Sequence, residues 1–392
     1  MTVGETKMAI PSTLKTMLQM VLAPLEDGVH DLFYPPKTNV AALDVLRSAA
    51  ILLVFTGHFV LMFTASSALI RFPVFRWGWT GVDLFFVLSG FLIGAQLWKE
   101  LARTGRIRIG RFLLRRGLRI WPLYFAVVAY FAAGYFFGRN ISHIWSDVFF
   151  LSNFIPGDVL GGWSLSTEEQ FYILTPILLS LLAFKVKLRW MWMVPCLGIA
   201  ALIANRAWSI ARSGLSASAA HDGGYLYHPI TTHADALAVG VLLGWLSVFH
   251  KGWLQSRPAV AVSAGVMFAS GLVLYRVSPA LLNFTALGLI YGAMELYAIS
   301  TLPFPRVLHW RGFYLVSRLS FGLYLNHLVV FSFLLPVLLD WSELGVSHLL
   351  VIYVLCLVVA LLVAMVTFLL IEWPFLRIRA RWMERAKVRE GR

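Results

Sequence analysis

The chain has 392 residues, 59% of them hydrophobic and only 13% charged, and its mean hydropathy is +0.76. No soluble core requires so much apolar sequence, so composition excludes an ordinary soluble enzyme and predicts a polytopic membrane protein. The formal net charge of +14 fits basic residues that orient membrane spans better than a nucleic-acid surface, and no nucleic-acid partner is expected.

Residues 1–38 form a mixed N-terminal tail carrying Lys7, Lys15, Glu26, Asp27, Asp31 and Lys37. No charged start, apolar core and small-residue cleavage site follow one another, so no signal peptide is expected. Ser12 to Leu25 predicts a short helix lying on the membrane, and Pro35-Pro36 ends the tail. A transmembrane domain is expected over 39–376 and a basic tail over 377–392.

Ten apolar segments predict ten spans, near 42–64, 79–98, 120–138, 163–184, 191–211, 230–249, 259–276, 281–302, 313–339 and 346–371. Their length is helical, not that of barrel strands, so the expected fold class is all-α with about ten transmembrane helices. With both termini cytoplasmic, 25 of the 33 Lys and Arg residues fall inside, which supports that orientation. No internal repeat is evident. Cys196 and Cys356 sit in apolar runs and read as core residues, not as a disulfide or metal pair.

The first span, LDVLRSAAILLVFTGH from Leu43 to His58, carries Asp44, Arg47 and His58. The eleven-residue step from Arg47 to His58 rises about 16 Å and makes close to three turns, so both side chains share a face. Ionisable groups inside a span are functional candidates. His58 serves either as an interhelical hydrogen-bonding group or as a general base. In the second role a carboxylate would orient it, the candidates being Asp83, Glu168 and Glu169.

The topology puts His58, Asp83, Glu168, Glu169, His233 and Asp235 in one outer layer, which reads as a polar cavity. In GVDLFFVLSG, Ser89 and Gly90 permit close helix packing or shape a slot for a thin ligand. Lys99 to Arg119 holds eight basic residues against Glu100, a topology anchor that also suits phosphate. WSLSTEEQFY places two glutamates in a first turn, one more than capping needs. In SRLSFGLYLNH, Asn326 reads as a packing residue and His327 stays open, while IEWP reads as a helix stop. There is no HExxH, no phosphate loop and no GxSxG, so no metal and no permanently bound cofactor are expected.

Together LDVLRSAAILLVFTGH, GVDLFFVLSGFLI, RRGLRIWPLY, WSLSTEEQFYILTP, SRLSFGLYLNH and the closing EWP, spread in order over about residues 40–376, resemble acyltransferase family 3. The resemblance implies a multi-pass O-acyltransferase of the bacterial cytoplasmic membrane. Such an enzyme would move an acyl group, acetyl being the commonest, from cytoplasmic acyl-CoA to a hydroxyl of an extracytoplasmic carbohydrate or lipid-linked glycan. It also implies His58 as catalytic base, with Glu168 matching the family's carboxylate and Asp83 kept as a candidate. Arg47, Arg115, Arg116 and Arg119 would serve the donor end. The family often has glycine where Val45 and Ser48 stand. Longer members add an extracytoplasmic esterase-like domain, which this sequence is expected to lack. The competing reading is a transporter or exporter of a glycan or anionic metabolite, whose polar groups would line a route between repeats.

Overall fold

The computed structural model describes residues 12–37, 39–63, 69–138, 141–214, 224–303, 305–342 and 345–389. Among them there are helices and no strands. The first half of the chain holds α1 (Ser12–Phe33), α2 (Ala41–Met62), α3 (Pro73–Arg76), α4 (Gly81–Thr104), α5 (Ile109–Ala133), α6 (Ile144–Val148) and α7 (Gly162–Ala183). The second half holds α8 (Met193–Ser213), α9 (Asp235–Phe249), α10 (Lys251–Gln255), α11 (Arg257–Val277), α12 (Pro279–Ile299), α13 (Arg311–Ser342), α14 (Val346–Thr367) and α15 (Trp373–Arg389).

A helix answers each of the ten expected segments, but among the described residues eight are long and apolar enough to cross a membrane. The exceptions are α7, whose first half carries Glu168, Glu169 and Gln170, and α9, which has fifteen residues. A full crossing takes about 20 residues. α9 starts five residues later than 230 because the chain before it is turned. The Thr232 hydroxyl caps that turn by donating to the Leu226 carbonyl at 2.8 Å.

The body is organised around α4 and α9, which approach backbone to backbone. Gly90 and Gly94 of α4 face Gly240 and Gly244 of α9, a pair of small-xxx-small stripes. A Cβ on Gly90 would lie 2.2 Å from the Leu237 carbonyl oxygen, and one on Gly240 would lie 2.2 Å from that of Val87. The end of α2 is held just as closely: a Cβ on Gly78 would lie 2.5 Å from the Gly57 nitrogen. That contact sets His58 beside the entrance to α4.

Two expectations about the ends change. α1 extends to Phe33, and its second half joins the bundle: Arg318 Nε donates to Asp31 at 2.6 Å, and Trp373 Nε1 donates to the Pro24 carbonyl at 2.7 Å. At the other end the chain does not stop at Glu-Trp-Pro. A π-helical turn over Phe368–Glu372 leads directly into α15, so the helix runs on through Pro374. α15 packs on α5, and their arginines gather at one end of the bundle.

Gly240→Val should therefore overpack the α4–α9 seam and cost about 1–3 kcal/mol in the thermal unfolding of detergent-solubilised protein. Gly265→Ala, whose new Cβ meets nothing within 4 Å, should stay within about 0.5 kcal/mol of the parent. Equal shifts would contradict the interlock.

Candidate active site

Two cavities open along the Arg47–His58 face of α2. The larger, about 650 Å³, is lined by His58 together with Trp79, Trp163, Tyr227 and His228. The smaller, about 130 Å³, is lined by Arg47, Arg116, Arg119, Ser89, Glu168 and Tyr172. Val82 and Tyr324 line both. The three-turn spacing thus aims the guanidinium of α2 into one chamber and its imidazole into the next.

The histidine is set by its hydrogen bonds. His327 Nδ1 lies 2.9 Å from the Leu323 carbonyl oxygen, which can only accept, so Nδ1 carries the hydrogen. In the neutral ring Nε2 is then an acceptor. It lies 2.9 Å from His58 Nδ1, which must be the donor. This tautomer leaves Nε2 of His58 with a free lone pair. Beside the ring stands Gly161, in the left-handed region at φ 75°, where a Cβ would come within 3.7 Å of His58 Cε1. Glycine there both permits the backbone and keeps that edge of the imidazole uncovered. The Gly161 carbonyl accepts the Tyr324 hydroxyl at 3.0 Å and also bonds the Ser164 hydroxyl at 3.2 Å.

The expected carboxylate partner of His58 is replaced by His327. Asp83 Oδ1 pairs instead with His233 Nε2 at 2.9 Å, both side chains being fully buried. Glu168 accepts from Ser89 at 2.5 Å and from the Tyr172 hydroxyl at 3.1 Å, inside the arginine cavity. Glu169 accepts from Trp121 Nε1 at 3.2 Å. The anticipated single layer of titratable groups is in fact several buried clusters, because depth along a helix says nothing about the azimuth of a side chain. Asp235, for example, turns to α8 and takes Arg206 as a bidentate partner at 2.7 and 3.0 Å.

The expected donor arginines divide as well. Arg116 and Arg119, three residues apart, share a face and line the cavity with Arg47. Arg115, one residue away and about 100° round the helix, lines a separate cleft. Arg47 Nη1 donates to the Ser317 hydroxyl at 3.2 Å, and that hydroxyl donates to Asp44 at 2.8 Å. Ser48, where the family often has glycine, donates to the Phe313 carbonyl at 2.8 Å and ties α2 to α13. Arg116 Nη2 donates to Gln96 Oε1 at 3.2 Å, and its guanidinium lies 5.8 Å from the Tyr172 ring. Asn326 makes the packing bond expected of it, to Thr367 at 2.8 Å.

The loop between α6 and α7 closes the His58 cavity. Buried Asp147 anchors it, accepting the amides of Asp158 at 2.8 Å and Val159 at 3.0 Å. Burial outweighs these bonds and raises the carboxyl above its ordinary range. His228, on the opposite loop, is held below its ordinary value by burial and then by His233, so its ring faces the cavity neutral. Tyr324, Tyr172 and His228 were not singled out by sequence. Only the helical spacing of Tyr324 and His327, three residues apart beside the motif asparagine, hinted that they act together. Among the described residues no group of three or more His, Cys, Asp or Glu side chains is placed to hold a metal.

The chain is 23% identical over 337 residues to the peptidoglycan O-acetyltransferase OatA of Listeria monocytogenes, covering 77% of this chain and 51% of that protein. It is 29% identical over 175 residues to the O-acetyltransferase OatA of Staphylococcus aureus, covering 40% of this chain and 27% of that one. The chain thus spans about half the length of the first relative and less of the second. No solved structure matches. The family described as "Acyltransferase domain" matches residues 40–369, from the start of the Arg47–His58 helix to the turn that follows α14. The chain therefore belongs to this acyltransferase family, the one its motifs resemble.

Proposed function

We propose that the protein transfers an acyl group, acetyl in the first instance, from acyl-CoA to a hydroxyl of an extracytoplasmic carbohydrate or lipid-linked glycan. In this reading it sits in the bacterial cytoplasmic membrane with about ten spans and both termini inside. The observation that carries the reaction is the unprotonated Nε2 of His58, backed by His327 and facing a 650 Å³ chamber. The relatives' names support O-acetyl transfer as the chemistry.

CoA would approach from the arginine-rich end. Its phosphates suit Arg116, Arg119 and Arg47, and its thin arm would pass Tyr324 to bring the thioester to His58. The acceptor hydroxyl oxygen attacks the thioester carbonyl carbon while its proton passes to His58 Nε2. The carbon–sulfur bond breaks, and the leaving thiolate takes that proton to give CoA thiol. His327 orients the ring and accepts the hydrogen bond that steadies the imidazolium. Holding donor and hydroxyl together can supply about 7–11 kcal/mol of the barrier.

With purified protein and labelled acetyl-CoA, His58→Ala should cut transfer about 10²–10⁴-fold while the variant still elutes as a folded species. Wild-type turnover would remove the base assignment. His327→Phe, which keeps an aromatic ring but offers no acceptor, should lower kcat and leave the KM for acyl-CoA near that of the parent. A change confined to KM would contradict the relay. Arg116→Ala should raise the KM for acyl-CoA more than that for the acceptor, and equal losses toward both would assign it to folding alone.

A further inference from the structure

Among the described residues, Tyr324 is the one side chain with a polar atom that lines both chambers. Its half-buried ring is fixed by edge-on contacts with Phe85 at 6.3 Å and His327 at 6.0 Å. Three oxygens meet at its tip. The Tyr324 hydroxyl donates to the Gly161 carbonyl at 3.0 Å, the Ser164 hydroxyl reaches the same carbonyl at 3.2 Å, and the two hydroxyls bond each other. Two hydroxyl hydrogens serve three contacts, so one contact always lacks a hydrogen. Ser164 can hold the carbonyl alone, which frees the Tyr324 hydrogen for another acceptor. That turn exchanges one hydrogen bond for another and strands no buried group. The Tyr172 hydroxyl has no such freedom, because it is committed to Glu168 at 3.1 Å.

Gly161 marks where the new acceptor would stand. The position that a Cβ would take there lies 3.6 Å from the Tyr324 oxygen, 3.7 Å from His58 Cε1 and 3.4 Å from Leu328 Cδ1. These are ordinary van der Waals distances, so the recess admits one carbon-sized group. Such a group touches a hydroxyl on one side and, on the other, the ring carbon bonded to the bare Nε2. A base and a hydrogen-bond donor flanking one small recess is the arrangement that acyl transfer requires. We propose that Tyr324 is a catalytic residue, the donor that stabilises the oxyanion of the tetrahedral intermediate, a role that rests on the acyl-transfer reading above. As the acceptor oxygen adds to the thioester carbon, the carbonyl π pair moves onto its oxygen. Tyr324 donates a hydrogen bond to that alkoxide without giving up its proton, and Ser164 keeps the Gly161 carbonyl. The alkoxide then reforms the carbonyl, the carbon–sulfur bond breaks, and the thiolate takes the proton held by His58. The donor is in place before charge develops, which is where such a bond contributes most.

The test compares Tyr324→Phe with Ser164→Ala in the full chain, reading CoA thiol release from acetyl-CoA with a chitooligosaccharide as hydroxyl acceptor. Tyr324→Phe keeps the ring and loses the donor, so kcat should fall about 10²–10³-fold while the KM for acetyl-CoA stays near that of the parent. Ser164→Ala loosens the same tie to Gly161 but leaves the Tyr324 hydroxyl, so it should shift thermal unfolding to a similar degree with a much smaller loss of kcat. Replacing Tyr324 by 3-fluorotyrosine keeps the tie and strengthens the donor, and should raise kcat with the unfolding temperature unchanged. Equal kcat losses in Tyr324→Phe and Ser164→Ala would make Tyr324 a loop tie and overturn the proposal. So would a loss carried by KM alone, or a kcat that fluorination leaves unchanged or lowers. Thiol release by the wild type with an unimpaired Tyr324→Phe overturns this inference alone. No release by the wild type removes the acyl-transfer reading and this inference with it.

Discussion

The proposed chemistry turns on one short hydrogen-bonded chain, from the Leu323 carbonyl through the two rings of His327 and His58. A carbonyl cannot donate, so with both rings neutral the proton positions along the chain follow. Its last atom, Nε2 of His58, is left with a free lone pair. A carboxylate at the same place would hold the ring more strongly, but it would carry a charge into an apolar interior. A neutral imidazole orients its neighbour without that desolvation cost.

The surrounding helices exist in the right places because small residues let them. Glycine stripes lock α4 to α9, and the Gly57–Gly78 contact pins the end of α2 against the start of α4. From that arrangement the two chambers follow: α2 and α4 supply walls to both, and α13 inserts Tyr324 where they meet. The loop anchored on Asp147 then closes the larger chamber, with Gly161 leaving the imidazole edge uncovered. Some buried polar groups that do not face a chamber are paired in place, as in Arg206 with Asp235 and Asp83 with His233.

Apolar periodicity made the helical class and the segment positions readable, and the Arg47–His58 spacing foretold that both side chains share a face. Partners were not readable. Whether His58 meets Asp83, Glu168 or His327 depends on helix rotation and crossing geometry, which arise from contacts between segments far apart in the chain. Arg115 and Arg116 illustrate the limit: adjacent in sequence, they face different cavities. The proline of the closing motif misled for a local reason. Its stop signal is absorbed by a π-helical turn, which a 3.6-residue pattern does not reveal.

The most direct measurement of the central claim is the protonation pattern of the two rings, read from ¹⁵N-histidine solid-state spectra of the protein in lipid. The account predicts that His58 is a neutral Nδ1–H tautomer with a bare Nε2, and that this preference disappears when His327 is replaced by phenylalanine. A His58 signal showing hydrogen on Nε2, unchanged by that replacement, would contradict it.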